Sequence, residues 1–282
     1  MLQRIIDNLE EVNYSILEAY QVLLCTSVKP RLAIINTNRD DEPTQRYIRN
    51  KKKKCEHFGI AVDVFEPTSM DELTTLISKL NKDTAFTSII MQYPFANWVT
   101  ATVQETFDLV DPRKDVDRLH SCWYYNEKSS NLPLTSLGIL KIIEELQRKK
   151  KIKEGCKILF NGNGVTTNKR LFLKMFNDGV FDCRIVNSKT PKKSVQELID
   201  WADIIVSGVG KKDSLLCKGK IVICPTILKV SEKTFVSDLC FGLRKDNITH
   251  KVIGGIGKLT TSNLLCRIYY DAELFRKFEN KN

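Results

Sequence analysis

Residues 157–223 contain Lys157-Ile158-Leu159-Phe160, Cys183-Arg184-Ile185-Val186, Asp203-Ile204-Ile205-Val206 and Lys220-Ile221-Val222-Ile223, with helix-patterned stretches interleaved. Short runs rich in β-branched residues, each followed by a helical pattern, are the signature of βαβ units wound into a parallel sheet. His250-Lys251-Val252-Ile253 continues the series. This strand–helix spacing is what a nucleotide-binding sheet of the Rossmann type requires.

The same alternation extends upstream. Arg31–Asn36, Ala61–Phe65 and the run from Phe86 to Gln92 read as strands, and Leu73, Leu76, Ile77 and Leu80 form the i, i+3, i+4, i+7 stripe of an amphipathic helix. Between the two series, residues 137–149 carry a helical apolar face of Ile139, Leu140, Ile142, Ile143 and Leu146, expected to connect two domains. From residue 264 to 278 a last helix is expected. The fold class is therefore α/β with two domains.

Composition agrees. The chain has 282 residues, 42% of them hydrophobic, which excludes a disordered or collagen-like chain and, at ~150 residues per domain, provides for two cores. No apolar run approaches the ~18 residues of a membrane-spanning helix, so no membrane partner is expected. The nine cysteines form no C-x-x-C pair and no cluster with histidine, so no metal site is expected. Carboxylates as early as Asp7, Glu10 and Glu11 argue against an export signal and a transit peptide, and point to a reduced, cytoplasmic protein. The net charge of +10 is concentrated in the runs 51–54 and 148–151 without interleaved aromatics, which reads as solvated helix surface, not as a nucleic-acid site.

Chemistry-bearing residues collect at strand ends, where open α/β sheets place ligands. Tyr47 and Lys51 lie four apart on one expected helix face, Gln92-Tyr93-Pro94 closes the third strand, and Asp111-Pro112-Arg113-Lys114-Asp115-Val116-Asp117 follows. With Pro133-Leu134-Thr135-Ser136-Leu137-Gly138, Ser188-Lys189-Thr190, the strand and turn 202–210, and Gly254-Gly255-Ile256-Gly257-Lys258-Leu259-Thr260, these segments follow one another in a collinear series. The series resembles the methylenetetrahydrofolate dehydrogenase/methenyltetrahydrofolate cyclohydrolase family over nearly the whole chain. That family carries tyrosine-x-x-x-lysine, glutamine-leucine-proline, lysine-aspartate-valine-aspartate-glycine and glycine-glycine-valine-glycine-proline-methionine-threonine in this order.

The resemblance implies oxidation of 5,10-methylenetetrahydrofolate with NADP, NAD being possible, and hydrolysis of the methenyl product to 10-formyltetrahydrofolate. It implies Lys51, Gln92 and Asp117 as catalytic residues, with Asp117 on the pterin. Tyr47, Gly254 and Gly255 would bind the folate. Thr135, Gly162, Asn163, Gly164, Ser188, Lys189, Gly257 and Thr260 would bind the dinucleotide. A lysine enclosed beside an apolar ligand has its ammonium form disfavoured by desolvation, and so exchanges protons near neutral pH. The resemblance further implies a folate domain 1–134 completed by a C-terminal helix 261–282, a Rossmann domain 135–260, a cleft between them and a homodimer.

The chain departs from the family pattern in places. The phosphate loop reads Gly162-Asn163-Gly164-Val165-Thr166-Thr167, one residue short, with no third glycine and no arginine–serine pair. Arg118 replaces the glycine after Asp117, Ser136 and Lys258 replace prolines, and Cys224-Pro225-Thr226 replaces aspartate-valine-glycine. A second reading thus stays open: a member that keeps the fold and folate binding with weak or no dehydrogenase activity.

Overall fold

A computed structural model describes residues 3–24, 29–125, 128–209, 221–223, 228–229, 235–236, 251–253 and 256–279. In chain order the elements are α1 (Gln3–Leu24), β1 (Arg31–Asn36), α2 (Glu42–His57), β2 (Ala61–Phe65), α3 (Met70–Lys82), β3 (Ser88–Gln92), α4 (Val103–Phe107) and α5 (Leu134–Arg148). They continue with β4 (Lys157–Asn161), α6 (Asn168–Asp178), β5 (Asp182–Val186), α7 (Lys192–Trp201), β6 (Ile204–Ser207), β7 (Ile221–Ile223), β8 (Leu228–Lys229), β9 (Phe235–Val236), β10 (Lys251–Ile253) and α8 (Ile256–Glu279). Two compact units result, one of Met1–Val12 with Glu127–Thr260 and one of Asn13–Asn126 with Thr261–Asn282.

In the second of these units a parallel sheet has the order β2-β1-β3, with Asn36 paired to Gln92 at its carboxyl edge. Positions 32–36 of β1 and all of β3 are buried, the continuous run expected of a parallel sheet covered on both faces. Helix α2 starts where Asp41 accepts a hydrogen bond from the Thr44 amide and Pro43 needs no partner. Helix α3 is capped by Ser69, which accepts from the Glu72 amide.

The other unit holds a five-stranded parallel sheet of order β10-β7-β6-β4-β5. Counted along its own chain this is the order 2-1-3-4-5, whose direction reverses between β4 and β6. Ile158, Phe160, Ile204 and Val206 turn one face of the sheet into a core with Ile139, Ile142, Ile143 and Leu146 of α5. Leu159, Ile205 and Val222 turn the opposite face towards Ile199 of α7. Alternation along each strand thus serves two helical layers at once.

The structure adjusts several expected boundaries. Strand β3 begins at Ser88, and Thr87 before it bonds the backbone of Arg31 through both its amide and its hydroxyl. Helix α5, expected as a connector, clusters wholly with the five-stranded sheet, as do residues 128–133 and the first turns of α1, where Ile5 and Ile6 join that core. Helix α8 begins at Ile256, so Gly257 to Thr260 lie in its first turns and not in a turn before it. The expected solvated run 51–54 is also corrected: Lys51 is buried and Lys54 donates to the Tyr14 hydroxyl at 2.8 Å, so the helix face on which each lysine falls decides its environment.

Candidate active site

The three-stranded sheet reverses direction between β1 and β3, and Gln92 stands at the carboxyl end of that junction. The loops leaving both strands are joined by the Ala96 amide donating to the Thr37 hydroxyl at 3.0 Å. One helix away, Lys51 is only 4% exposed, and its Nζ donates to Gln92 Oε1 at 3.0 Å. Gln92 Nε2 donates to the Tyr93 carbonyl at 2.9 Å, which orients the amide with its oxygen towards the lysine. The half-buried Tyr47 ring lies a turn earlier on α2, its centroid 4.6 Å from Lys51 Nζ, within cation–π range. One turn later, burial pushes the Cys55 thiol up to about 12, which leaves it chemically inert.

Asp117 occupies the next segment. Its turn is fastened to β3 by backbone bonds from Ile89 to Lys114 and from Val116 to Ile89. Lys114 donates to the carbonyls of Leu80 and Asp83 at 2.7 Å each, so it ties the turn to the end of α3. Asp115 is buried, accepts from the His120 amide at 2.8 Å, and is raised by desolvation to about 6. Asp117 is half-buried and electrostatically coupled to Arg267.

Arg118 has a φ of 57°, a left-handed conformation that glycine adopts without cost. The arginine compensates through its side chain. Its guanidinium donates to the Asp115 carbonyl at 2.6 Å and to Asp271 Oδ1 at 2.5 Å, and lies 4.5 Å from the Trp123 ring centroid. Arg267 donates to the Val116 carbonyl at 3.2 Å, and burial beside Arg118 brings its pKa down to about 10. Arg267 and Asp271 escape a sequence reading because α8 lies some 150 positions further on, and charged residues on a helix ordinarily indicate solvent.

In the five-stranded unit, Gly162 follows β4 with a φ of 100°, and a Cβ there would lie 2.8 Å from the Val209 side chain. Both facts require glycine. Asn163 and Gly164 are exposed, and the amides of residues 163–166 donate to no acceptor among the described residues. After β5, Ser188 and Lys189 are presented outward on a turn closed by the Asn187 amide donating to Thr190 Oγ1 and the Lys189 amide to Asn187 Oδ1. The Thr135 and Thr260 hydroxyls meet at 3.3 Å, and Gly257 is buried in α8. Ser136, in place of a proline, donates to the Thr167 carbonyl at the end of the 162–167 loop. Gly254, Gly255 and the 224–226 segment lie outside the described residues.

A dinucleotide-type sheet in one unit and a buried lysine–amide pair at a sheet reversal in the other define an α/β enzyme of the nucleotide-dependent class. The chain belongs to the tetrahydrofolate dehydrogenase/cyclohydrolase family: residues 6–117 match its catalytic domain and residues 133–276 its NAD(P)-binding domain. It is 30% identical over 266 residues to the bifunctional protein FolD of Acetivibrio thermocellus, covering 90% of both chains. With FolD of Campylobacter concisus it shares 28% over 250 residues, 84% of this chain and 85% of the relative. Its fold matches that of the bifunctional FolD enzyme of Campylobacter jejuni with a TM-score of 0.77 at 22% identity, covering 97% of both chains. The Trypanosoma brucei FolD enzyme, solved with NADP and an inhibitor, matches with a TM-score of 0.74 at 20% identity, covering 98% of this chain and 97% of that one.

Proposed function

We propose that this chain oxidises 5,10-methylenetetrahydrofolate to 5,10-methenyltetrahydrofolate with NADP and hydrolyses the product to 10-formyltetrahydrofolate, as an enzyme of one-carbon metabolism. The observation that carries this reading is the Lys51 side chain, 4% exposed, with Nζ bonded to Gln92 and set beside the Tyr47 ring. The family membership agrees with it.

Each residue then has a role with a physical basis. Tyr47 offers a flat half-buried face on which an aminobenzoyl ring stacks. In its neutral amine form Lys51 Nζ directs a water onto the methenyl carbon, takes up the proton that water sheds, and returns it to the ring nitrogen as the carbon–nitrogen bond opens. Gln92 Oε1 holds Nζ in place for both transfers. Asp117 accepts hydrogen bonds from the pterin, with Arg267 steadying its charge.

A bound nicotinamide supplies the hydride acceptor for the first step. The residues present fit such a group. Gly162 lets the backbone approach closely, the amides of 163–166 are available to a pyrophosphate, and Ser188 with Lys189 offers a hydroxyl and a cation to a ribose 2′-phosphate. Asn187, where an NAD-preferring sheet carries an acid, favours NADP. The Trypanosoma brucei relative, solved with NADP, supports that choice.

The same reading includes a homodimer formed through the Rossmann unit, which the exposed apolar side chains Leu173, Phe176 and Val180 support. It also includes a cytoplasmic location, which the free, buried thiols of Cys55, Cys156 and Cys183 support. The test is a spectrophotometric assay of methenyl formation with each dinucleotide. Turnover with NADP supports the reading, and absence of turnover with both NADP and NAD overturns its dehydrogenase half.

A further inference from the structure

The phosphate loop is short of one residue and one glycine relative to the family pattern, yet a buried side chain behind it takes up the deficit. Asn168, the first residue of α6, is fully buried. Its Nδ2 donates to the carbonyls of Asn161 and Gly162 at 3.1 Å and of Val206 at 3.3 Å. Three acceptors around one terminal atom identify it as the amide nitrogen. Those carbonyls belong to the end of β4, the loop after it, and β6, so one amide spans the point where the sheet reverses.

The opposing position is shaped to allow this. A Cβ at Gly208 would stand 2.7 Å from Asn168 Nδ2 and 3.0 Å from its Cγ. The Gly208 amide also donates to the Asn161 carbonyl at 2.8 Å. Only a residue without a side chain lets the asparagine reach between the strands.

We propose that Asn168 is the positioning residue of the dinucleotide-phosphate loop. By drawing carbonyls from both flanking strands to one buried amide, it keeps oxygen atoms away from the anion and leaves the 163–166 amides available to it. A nest of backbone donors binds phosphate only while its peptide planes hold their orientation. In this loop Gly162 is the left-handed residue, and the side-chain amide replaces the rigidity that further glycine-mediated helix–strand packing otherwise provides. The inference rests on the dinucleotide-dependent reading above and deepens it.

The test compares Asn168→Leu, Asn168→Asp and Gly208→Ala with the parent chain. Isothermal titration measures NADP binding, methenyl hydrolysis is measured without dinucleotide, and thermal unfolding is followed on the unliganded protein. Asn168→Asp keeps the size and replaces the donor with an acceptor, and Gly208→Ala displaces the amide without altering it. The expected result is a rise in the NADP dissociation constant of about tenfold or more in each variant, from the loss of the hydrogen bonds that Nδ2 shares among the three carbonyls. Methenyl hydrolysis is expected within about twofold of the parent, since it uses the other unit. An unchanged dissociation constant in a folded variant overturns the assignment, as does a parallel fall in hydrolysis, which marks a general loss of structure. If the parent itself binds neither NADP nor NAD, the dehydrogenase reading fails and this role with it, a result distinct from binding that is insensitive to Asn168.

Discussion

Lys51 Nζ and Gln92 Oε1 meet at 3.0 Å across 41 residues of sequence, inside a unit that leaves the lysine almost no solvent. A flexible lysine side chain is ordinarily solvated, so a buried one hydrogen-bonded to a neutral amide is poised to act on something that enters beside it. Replacing Lys51 with methionine keeps the stem and removes the proton carrier. Methenyl hydrolysis is expected to fall by ~10²- to 10⁴-fold, the span of a general acid–base contribution. Circular dichroism should stay unchanged. Full turnover in a folded Lys51→Met protein would remove the residue from its role.

Tyr47 is expected to act through its ring. Tyr47→Phe retains the face that Lys51 and a folate ring share, and KM for the folate should stay within about twofold. Tyr47→Ala loses the stack, and at ~0.5–1.5 kcal/mol for an aromatic pair the KM should rise by about 2- to 10-fold with a smaller change in kcat. Equal effects of the two substitutions would assign the role to the hydroxyl instead.

Arg118→Gly restores the residue type of the family pattern and relieves a left-handed backbone, yet it removes the guanidinium hydrogen-bonded to the buried Asp271 carboxylate. Breaking a buried pair from one side costs ~3–5 kcal/mol, more than the relief of one residue at positive φ returns. Urea unfolding should show a net loss of stability, and Arg118→Gly with Asp271→Leu should recover most of it. A more stable single variant would show that the ion pair contributes little.

Asp115 gives a pH dependence with a definite sign. Burial raises its folded pKa from 3.8 to about 6, so the folded protein takes up a proton where the unfolded chain does not. The stabilisation is complete below the unfolded value and is lost as pH rises through about 6. Relative to Asp115→Asn, the parent should gain on the order of 2 kcal/mol between pH 7 and pH 4, read from urea midpoints. A pH-independent difference would place the Asp115 carboxyl in contact with solvent.

Glu145 has the opposite sign. Arg148 grips it through two hydrogen bonds and Lys149 through a third contact, which holds the carboxyl down to about 2. Its contribution is present above 4.5 and is lost as pH falls from there through about 2. Glu145→Gln should therefore flatten the acid limb of the stability profile, with little change in NADP binding.

Strands β1 and β3 were legible because parallel strands covered on both faces are largely apolar runs, and helix α3 because its stripe repeats at the helical period. Tyr47 and Lys51 were legible as a pair because four positions make one helical turn. The start of α8 was not legible: glycines 254, 255 and 257 signal a turn, whereas packing of Ile256 and Leu259 into the core of the five-stranded unit supports helix from Ile256 onward. The burial of Lys51 and the contact of Lys54 with Tyr14 were equally hidden, since a run of four lysines gives no sign of which members meet other elements.

Local pattern determined that this chain is a two-part α/β protein with parallel sheets, because hydrophobic periodicity and β-branched runs act within a few residues of one another. The same pattern placed lysine, glutamine and aspartate near strand ends. Tertiary structure alone decided that Lys51 is desolvated against Gln92, that Arg118 finds Asp271, and that Asn168 gathers carbonyls from two strands. Those pairings join residues distant along the chain, and their energies exist only after burial has removed water and brought the partners within hydrogen-bond reach.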